Sequence, residues 1–204
     1  MESSILYIFI TCQTKYEITF PKITNMMKNL NNQNFIIIVG GSLDTFYDEN
    51  NKTLNIQCND FYEGLPEKMI KTYKFIYEND IFKKYKYICK LDDDVEIKEF
   101  PEENILSEYC GKIGNVDYGD RNWHIGKCSK DNKFNNKEYQ GIYVPWCMGG
   151  YGYIISREIL KYIKDETGYD DEIYEDLYIA KILNKNNIFP KELKTELYFT
   201  TQYI

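Results

Sequence analysis

The sequence predicts a single α/β domain with a mainly parallel central sheet flanked by helices. Short apolar runs, which are typical of buried strands, alternate with segments whose apolar residues repeat at helical spacing. The chain of 204 residues is long enough for one well-filled core. No internal repeat or second unit is visible, so the predicted domain spans residues 1–204.

The first half of the chain supplies most of the predicted sheet. Helices are expected after Pro21 and from about residue 66, where apolar residues recur every three or four positions. The second helix joins two predicted strands in a βαβ unit, which implies parallel strands. The expected strands are Ile5–Ile10, Phe35–Val39, residues 53–58, residues 87–91 and the short piece Val95–Ile97.

The second half is less regular. Residues 101–109 predict a short helix, residues 112–116 a strand, and residues 119–140 a long polar loop. Loops of this length inside compact domains are usually functional or mobile. Ser156 is expected to cap a helix over residues 157–164. A last helix is expected to start within the acidic stretch 170–176, because acids favour the first turn of a helix.

Charge and cysteine usage limit the possible partners. The formal net charge is −7 and the basic residues are scattered among acids, so nucleic acid is not an expected partner. The six cysteines show no zinc-like spacing. Their even number allows disulfides, but the apolar run Ile5–Ile10 is too short for a signal peptide or a membrane span. Reduced thiols and a cytoplasmic location are therefore expected, unless an anchor precedes this chain.

Three consecutive carboxylates directly follow the predicted strand at residues 87–91. Asp92, Asp93 and Asp94 repel one another by roughly 1 kcal/mol per pair in water at about 4 Å, and a divalent cation would offset this repulsion. Ligands of open α/β sheets gather beyond the carboxyl ends of strands. Oxygen donors favour magnesium or manganese. The alternative is a solvated acidic turn; the spacing excludes an EF-hand, which needs a central Gly and a distal Glu.

Three other segments are candidates for binding. Thr11 follows the first strand, where a nucleotide-binding sheet meets its base or ribose. Gly149, Gly150 and Gly152 remove side-chain bulk, so a ligand could approach closely. Each has a plain alternative, namely a polar turn at Thr11 and a bulge or hairpin turn at the glycines. Glu175 and Asp176 become interesting only if their turn faces the first acid cluster.

Three segments in series resemble the β-1,3-galactosyltransferase and Fringe-like glycosyltransferases, a family 31-like group. They are KLDDDV at residues 90–95, PWCMGGYGYIIS at 145–156 and EDLYIA at 175–180. Residues 58–68 are similar to the segment that opens the helix before the metal-binding strand of that family. The resemblance covers about residues 5–183. It implies a Rossmann-like GT-A fold, a nucleotide-sugar donor expected to be UDP-linked, bound manganese or magnesium, and inversion at the anomeric carbon.

The resemblance also implies a role for individual residues. Asp92 and Asp94 are expected to bind the metal as the Asp-x-Asp pair, and Asp176 is expected to be the catalytic base. Relatives supply a further metal-binding His beyond the Glu-Asp motif, but no His follows His124 here. Either water completes the metal shell or His124 reaches it. The expected donor contacts are Thr11, Lys68, Asp92, Asp93 and Asp94, and the expected sugar or acceptor contacts are Trp146, Cys147, Met148, Gly149, Gly150 and Glu175.

The sequence leaves the reaction partly open. The expected acceptor is a glycan, a glycoprotein or a glycolipid, and neither the sugar nor the linkage follows from the motifs. A carbohydrate- or nucleotide-binding module that has lost turnover is the main alternative, because the distal His is missing. A retaining transferase on the same fold is a further alternative.

Overall fold

An eight-stranded sheet runs through the computed structural model, which describes residues 4–201 except the side chain of Tyr118. Its strands are β1 (Ile5–Ile10), β2 (Phe35–Val39), β3 (Phe46–Asp48), β4 (Thr53–Asn55), β5 (Tyr87–Asp92), β7 (Tyr109–Gly111), β8 (Tyr153–Ser156) and β9 (Lys191–Glu192), while β6 (Val95–Ile97) pairs with β10 (Phe199–Thr201) in a second sheet. The α-helices are α1 (Gln13–Asn29), α2 (Leu65–Glu78) and α3 (Glu175–Lys185).

The order of the strands is β3-β4-β2-β1-β5-β8-β7-β9. Parallel pairs join β4, β2, β1 and β5, and β7 pairs in parallel with β9. Only β3 and β8 run against the others, since both pair antiparallel with their neighbours. This arrangement confirms the predicted α/β class and its mainly parallel sheet.

The direction in which the chain travels along the sheet reverses between β1 and β5. From β1 the chain moves outward to β2 and β4, and it then returns to form β5 on the other side of β1. Ligands of open α/β sheets bind in the crevice that opens at such a switch point. Here the switch point lies beyond Ile10 and Asp92, which are paired in the register of β1 and β5.

Helices cover the sheet on both sides, so its central strands are apolar on both faces. Alternate residues of β1 divide between two cores: Leu6, Ile8 and Ile10 pack with α2 and α3, whereas Ile5, Tyr7 and Phe9 pack with α1. Strand β5 follows the same alternation. Its Lys90 is the exception in chemistry, because it is a charged residue that lies buried in the strand.

Several predicted boundaries are wrong. Helix α1 starts at Gln13 rather than after Pro21, which lies inside the helix. The rings of Tyr16 and Phe20, which lie one helical turn apart, pack with their centroids 5.4 Å apart. This contact stabilises the part of the helix that precedes Pro21. The strand expected over residues 53–58 ends at Asn55, and the edge strand β3 was not predicted.

The region after β6 differs most from the prediction. The helix expected at residues 101–109 is only a 3₁₀ turn, Glu103–Ile105, and the next strand is Tyr109–Gly111 rather than residues 112–116. Pairing with β8 determines this register, while Ile113 forms only an isolated bridge with Cys147.

The last two predicted helices start within the expected residues but differ from the prediction in detail. Arg157–Tyr162 forms a 3₁₀ helix, and the side chain of Ser156 makes no capping hydrogen bond. Helix α3 begins at Glu175. Of the preceding acids, Asp170 and Asp171 lie in a separate 3₁₀ turn, Gly168–Asp171, and Glu172 lies between that turn and the helix.

The six cysteines, Cys12, Cys58, Cys89, Cys110, Cys128 and Cys147, are all free thiols. Within residues 4–201, no helix is both long enough and apolar enough to cross a membrane.

Candidate active site

A buried lysine joins the end of β5 to the start of α3. Lys90 and Asp92 lie on the same face of β5 because side chains alternate along a strand. The Lys90 Nζ atom lies 2.6 Å from Asp92 Oδ1 and 2.8 Å from Glu175 Oε1. Burial disfavours the ammonium, but the two carboxylates outweigh it and raise the pKa of Lys90. Lys90 is therefore a fixed positive charge between the acids of two elements.

Glu175 is the more deeply buried of the two acids that open α3. Its Oε2 atom accepts a long hydrogen bond of 3.3 Å from the Tyr153 hydroxyl. Desolvation raises the pKa of Glu175 to about 7, although Lys90 opposes the shift. This carboxyl is therefore held inside the protein by Lys90, and its charge is costly.

Asp176 is oriented by two backbone amides. The Gly149 N–H donates to Asp176 Oδ2 at 2.7 Å, and the Leu177 N–H donates to Oδ1 at 2.8 Å. Burial raises the pKa of Asp176, while these amides and Lys90 oppose the shift. The carboxyl group is consequently fixed in direction and made more basic than a solvated aspartate.

Gly149 lies where these groups meet. A Cβ atom at this position would be 3.0 Å from Glu175 Oε1, 3.2 Å from Lys90 Nζ and 3.3 Å from Asp176 Cβ. The Gly149 carbonyl also lies 3.5 Å from Lys90 Nζ. A small residue is thus needed at position 149 because Glu175, Lys90 and Asp176 all lie close to its backbone.

One cavity of about 710 Å³ brings the two acid clusters together. Asp92 and Asp94 line it from β5 and the turn that follows, and Asp176 lines it from α3. Aromatic side chains form much of the remaining wall: Tyr62, Trp123, Tyr143, Trp146, Tyr151 and Tyr174. Carboxylates far apart in the sequence therefore face a common space large enough for a ligand.

The three consecutive aspartates have different surroundings. Burial and the charges of Asp92 and Asp93 raise the pKa of Asp94. Asp93 accepts a 2.7 Å hydrogen bond from the Thr11 hydroxyl and lies 3.9 Å from Lys15 Nζ. This bond spans the switch point between β1 and β5. The charge of Asp94 is thus disfavoured by burial and by the two neighbouring acids.

Most of the expected sugar or acceptor contacts line the cavity, namely Trp146, Met148, Gly149, Gly150 and Glu175. Cys147 does not. It is fully buried beneath the wall, and its N–H donates to the Tyr109 hydroxyl at 2.9 Å. The structure therefore does not bring Cys147 together with the other expected sugar or acceptor contacts.

Lys68, an expected donor contact, is buried and bound to other parts of the protein. Its side chain is only 1% exposed, and Nζ donates to the Thr11 carbonyl at 3.0 Å and to Asp60 Oδ1 at 2.5 Å. Asp60 also accepts from the N–H groups of Gln13 and Gly40. Lys68 thus ties together the loops that follow β1 and β2, and a donor cannot reach its ammonium group without a rearrangement.

His124 is buried in the long loop and does not line the cavity. Its Nε2 atom lies 2.9 Å from both the Phe134 and the Lys137 carbonyl oxygens, and its Nδ1 atom lies 2.8 Å from the Tyr174 hydroxyl. Both ring nitrogens are engaged within the protein. The structure therefore places His124 outside the cavity that Asp92 and Asp94 line.

Sequence reasoning missed two features of this site. Lys90 is a charged residue in an otherwise apolar strand, two positions before Asp92, and this pattern could have revealed it. The aromatic wall gave no such signal. With 20 Tyr and 11 Phe in the chain, aromatic residues are too common for any one of them to stand out.

Solved structures similar to this chain include two with TM-scores below 0.5. One, from Bacillus anthracis, is assigned as a glucose-1-phosphate thymidylyltransferase and was solved with sucrose; it is 13% identical, with 97% of this chain and 89% of that chain covered and a TM-score of 0.46. The other is A197 from STIV, 15% identical, with 94% and 82% covered and a TM-score of 0.48.

The family comparison is more specific. A search of curated proteins gave no match. A sequence model of the galactosyltransferase family matches residues 49–194, which include β4 to β9 and the acids of the cavity. Membership of this family supports glycosyltransferase activity. This chain belongs to the galactosyltransferase family.

Proposed function

We propose that this chain transfers a sugar from a UDP-linked donor to an acceptor hydroxyl group with inversion at the anomeric carbon. One observation carries the proposal: Asp92 and Asp94 line the same cavity as Asp176. An inverting transfer needs a charged site for the diphosphate and a base on the acceptor side, and this cavity offers acids from two separate elements. Its volume of about 710 Å³ suits a sugar and part of a nucleotide.

Asp92 and Asp94 would hold the divalent cation, Mn²⁺ or Mg²⁺. The raised pKa of Asp94, caused by burial and by Asp92 and Asp93, indicates a site where a cation would relieve repulsion. Among residues 4–201, no cluster of three or more His, Cys, Asp or Glu could hold a metal. Two carboxylates fit a cation that takes its other ligands from substrate phosphates and water. When bound, such a cation stabilises charge on the departing diphosphate as a Lewis acid.

The switch point supports the placement of the donor. The crevice beyond β1 and β5 contains Thr11, Asp93 and Lys15, which are held together by the Thr11–Asp93 hydrogen bond. The nucleoside would occupy this crevice and direct its diphosphate towards Asp94. The sugar would then extend into the cavity in front of Asp176.

Asp176 would remove the proton of the attacking hydroxyl group. The Gly149 and Leu177 amides fix the direction of its carboxylate, and burial raises its pKa towards the range in which a general base is effective. Such a base contributes roughly 10²- to 10⁴-fold to the rate. Lys90 would be a positioning residue, because its ammonium group contacts both Asp92 and Glu175 and so fixes these two acids relative to each other.

A binding module without turnover is the second candidate. Two observations favour it: the described residues supply no third metal ligand, and both Asp176 oxygens already accept a backbone hydrogen bond. Under this candidate the cavity would bind the donor without hydrolysing or transferring it. Replacement of Asp176 would then leave the fate of the bound donor unchanged.

Calorimetry with UDP and Mn²⁺, followed by donor hydrolysis with UDP-galactose, UDP-glucose and UDP-N-acetylglucosamine, tests the proposal. We expect Mn²⁺-dependent binding that Asp94→Asn weakens at least tenfold. We expect slow hydrolysis that Asp176→Asn reduces by about 10²-fold or more. Asp44→Asn is the matched control, because Asp44 is exposed and lies outside the cavity.

The outcomes separate the two candidates. Binding of UDP without hydrolysis or transfer from any donor would favour the module. Absence of UDP binding in the presence of Mn²⁺ would overturn both candidates. A product that keeps the anomeric configuration of the donor would contradict inversion.

A further inference from the structure

Trp123 is a large apolar side chain that stays exposed in the wall of the cavity. It belongs to the loop 119–140 and is 55% exposed, although it lines the same cavity as Asp94 and Asp176. The Lys127 ammonium lies 3.2 Å from the centre of its ring and so covers one face of the indole. The exposed area of Trp123 therefore comes from the opposite face and the edges.

The segment that carries Trp123 is held firmly in place. The adjacent His124 is buried, and its hydrogen bonds connect it to the Phe134 and Lys137 carbonyls and to Tyr174. Arg121 Nη1 donates to the Tyr139 carbonyl at 2.6 Å. An exposed indole on so well anchored a segment is a preformed surface, and it loses little conformational entropy when a ligand packs on it.

Polar groups lie beside this aromatic surface. Asp120 and Asn115 line the same cavity. The Asp120 backbone carbonyl accepts hydrogen bonds from the hydroxyls of Tyr143, at 3.0 Å, and Tyr174, at 2.9 Å, so the backbone at Asp120 is held in the wall. A flat apolar surface with adjacent carboxylate and amide groups matches a pyranose, whose C–H face packs on aromatic rings while its hydroxyls form hydrogen bonds.

The position of Trp123 in the fold separates it from the nucleotide crevice. That crevice lies between β1 and β5, whereas the loop 119–140 follows β7, and β8 lies between β5 and β7 in the sheet. Trp123 and the proposed nucleotide crevice thus belong to segments that follow different strands of the sheet.

We propose that the exposed face of Trp123, with Asp120 and Asn115 beside it, is a binding platform for a pyranose ring of the acceptor. The platform depends on the proposed function only for the identification of its ligand as the acceptor. The platform itself rests on the exposure of Trp123, its anchoring and its polar neighbours. His124 acts on the platform only by positioning the segment.

Saturation-transfer NMR tests the platform with methyl β-D-galactoside, methyl β-D-glucoside and methyl β-D-N-acetylglucosaminide as probes, in the presence of UDP and Mn²⁺. We expect at least one glycoside to bind, with the strongest transfer to the protons of its C–H face. Trp123→Ala should weaken this binding about tenfold, as expected for loss of an aromatic stacking partner, and Trp123→Phe should retain most of it. The Kd for UDP should stay within twofold in both variants.

Phe189→Ala is the matched control, because Phe189 is 56% exposed but does not line the cavity. It should change neither sugar nor UDP binding. Unchanged glycoside binding in Trp123→Ala would overturn the platform. Weakened UDP binding in that variant would also overturn it, because Trp123 would then contact the nucleotide.

Failure of the platform and failure of the proposed function are distinguishable. Glycosides that bind through Trp123 in a protein that does not bind UDP would uphold the platform and overturn the transferase. UDP binding in a wild-type protein that binds none of the three glycosides would overturn the platform alone.

Discussion

Lys90 Nζ lies 2.8 Å from Glu175 Oε1, and this contact joins the strand that carries the Asp-x-Asp acids to the helix that carries Asp176. The same ammonium lies 2.6 Å from Asp92 Oδ1. Because Lys90 is buried, the pair is screened little by solvent. The two acid clusters are thus connected by one side chain rather than only placed side by side.

Replacement of Lys90 by Met should strongly destabilise the protein. It leaves the buried Glu175 without its cationic partner, and removing one member of a buried pair costs about 3–5 kcal/mol. Urea unfolding measures the change in the free energy of unfolding. Lys74→Met is the control, because Lys74 forms only exposed ion pairs, and it should cost less than about 1 kcal/mol. A double-mutant cycle with Glu175→Gln should show coupling; additive effects would contradict it.

Glu175 should make the stability of the metal-free protein depend on pH. Desolvation raises its pKa from 4.5 to about 7 on folding. Between these values the folded protein holds a proton that the unfolded chain releases, so this group lowers the free energy of unfolding as the pH rises from 4.5 to 7. The full effect is at most about 3 kcal/mol.

Glu175→Gln removes this titration. In EDTA, the difference in unfolding free energy between variant and wild type should change in favour of the variant as the pH rises through that window. Parallel pH profiles for the two proteins would show that Glu175 is not shifted.

A methyl group at position 149 should be harmful, whereas one at position 150 should not. The Cβ of Gly149→Ala would approach Glu175 Oε1 and Lys90 Nζ to 3.0 and 3.2 Å, and their ion pair leaves these atoms little room to move. We expect a loss of about 1–3 kcal/mol from overpacking. Gly150→Ala meets nothing within 4 Å and is the matched control. Equal melting temperatures for the two variants would contradict the packing described around Gly149.

His124→Ala should loosen the long loop without affecting metal binding. It removes contacts to the Phe134 and Lys137 carbonyls and to Tyr174, and each buried group left unpaired costs about 1–3 kcal/mol. Hydrogen exchange should therefore accelerate in residues 119–140. The affinity for Mn²⁺ in the presence of UDP should be unchanged. A large loss of Mn²⁺ affinity with normal exchange in the loop would instead identify His124 as a metal ligand.

The buried strands could be predicted because their residues are mostly apolar. The strands β1 and β2 are wholly apolar, and β5 is apolar except for Lys90 and Asp92, since helices cover both faces of the sheet. The three-residue strand β7 could not be predicted in this way. Its register depends on pairing with β8, which lies about forty residues further along the chain, and no local pattern records such a partner.

The acids of the site could be predicted as a motif, but the direction in which each neighbouring side chain points could not. Cys147 and Met148 are adjacent, yet Cys147 is buried and Met148 lines the cavity. Lys68 and His124 have the chemistry of ligand-binding residues but are engaged with the protein itself. Only the tertiary contacts distinguish a polar side chain that lines the cavity from one that forms hydrogen bonds with other parts of the protein.

The hydrogen bond between His124 and Tyr174 has a consequence for how substrates enter and leave. Tyr174 immediately precedes the helix that begins with Glu175 and Asp176. The loop 119–140 is therefore hydrogen-bonded to the N-terminal end of that helix. A loop attached in this way cannot swing open as an independent lid. Any motion that widened the cavity on that side would also displace the two acids.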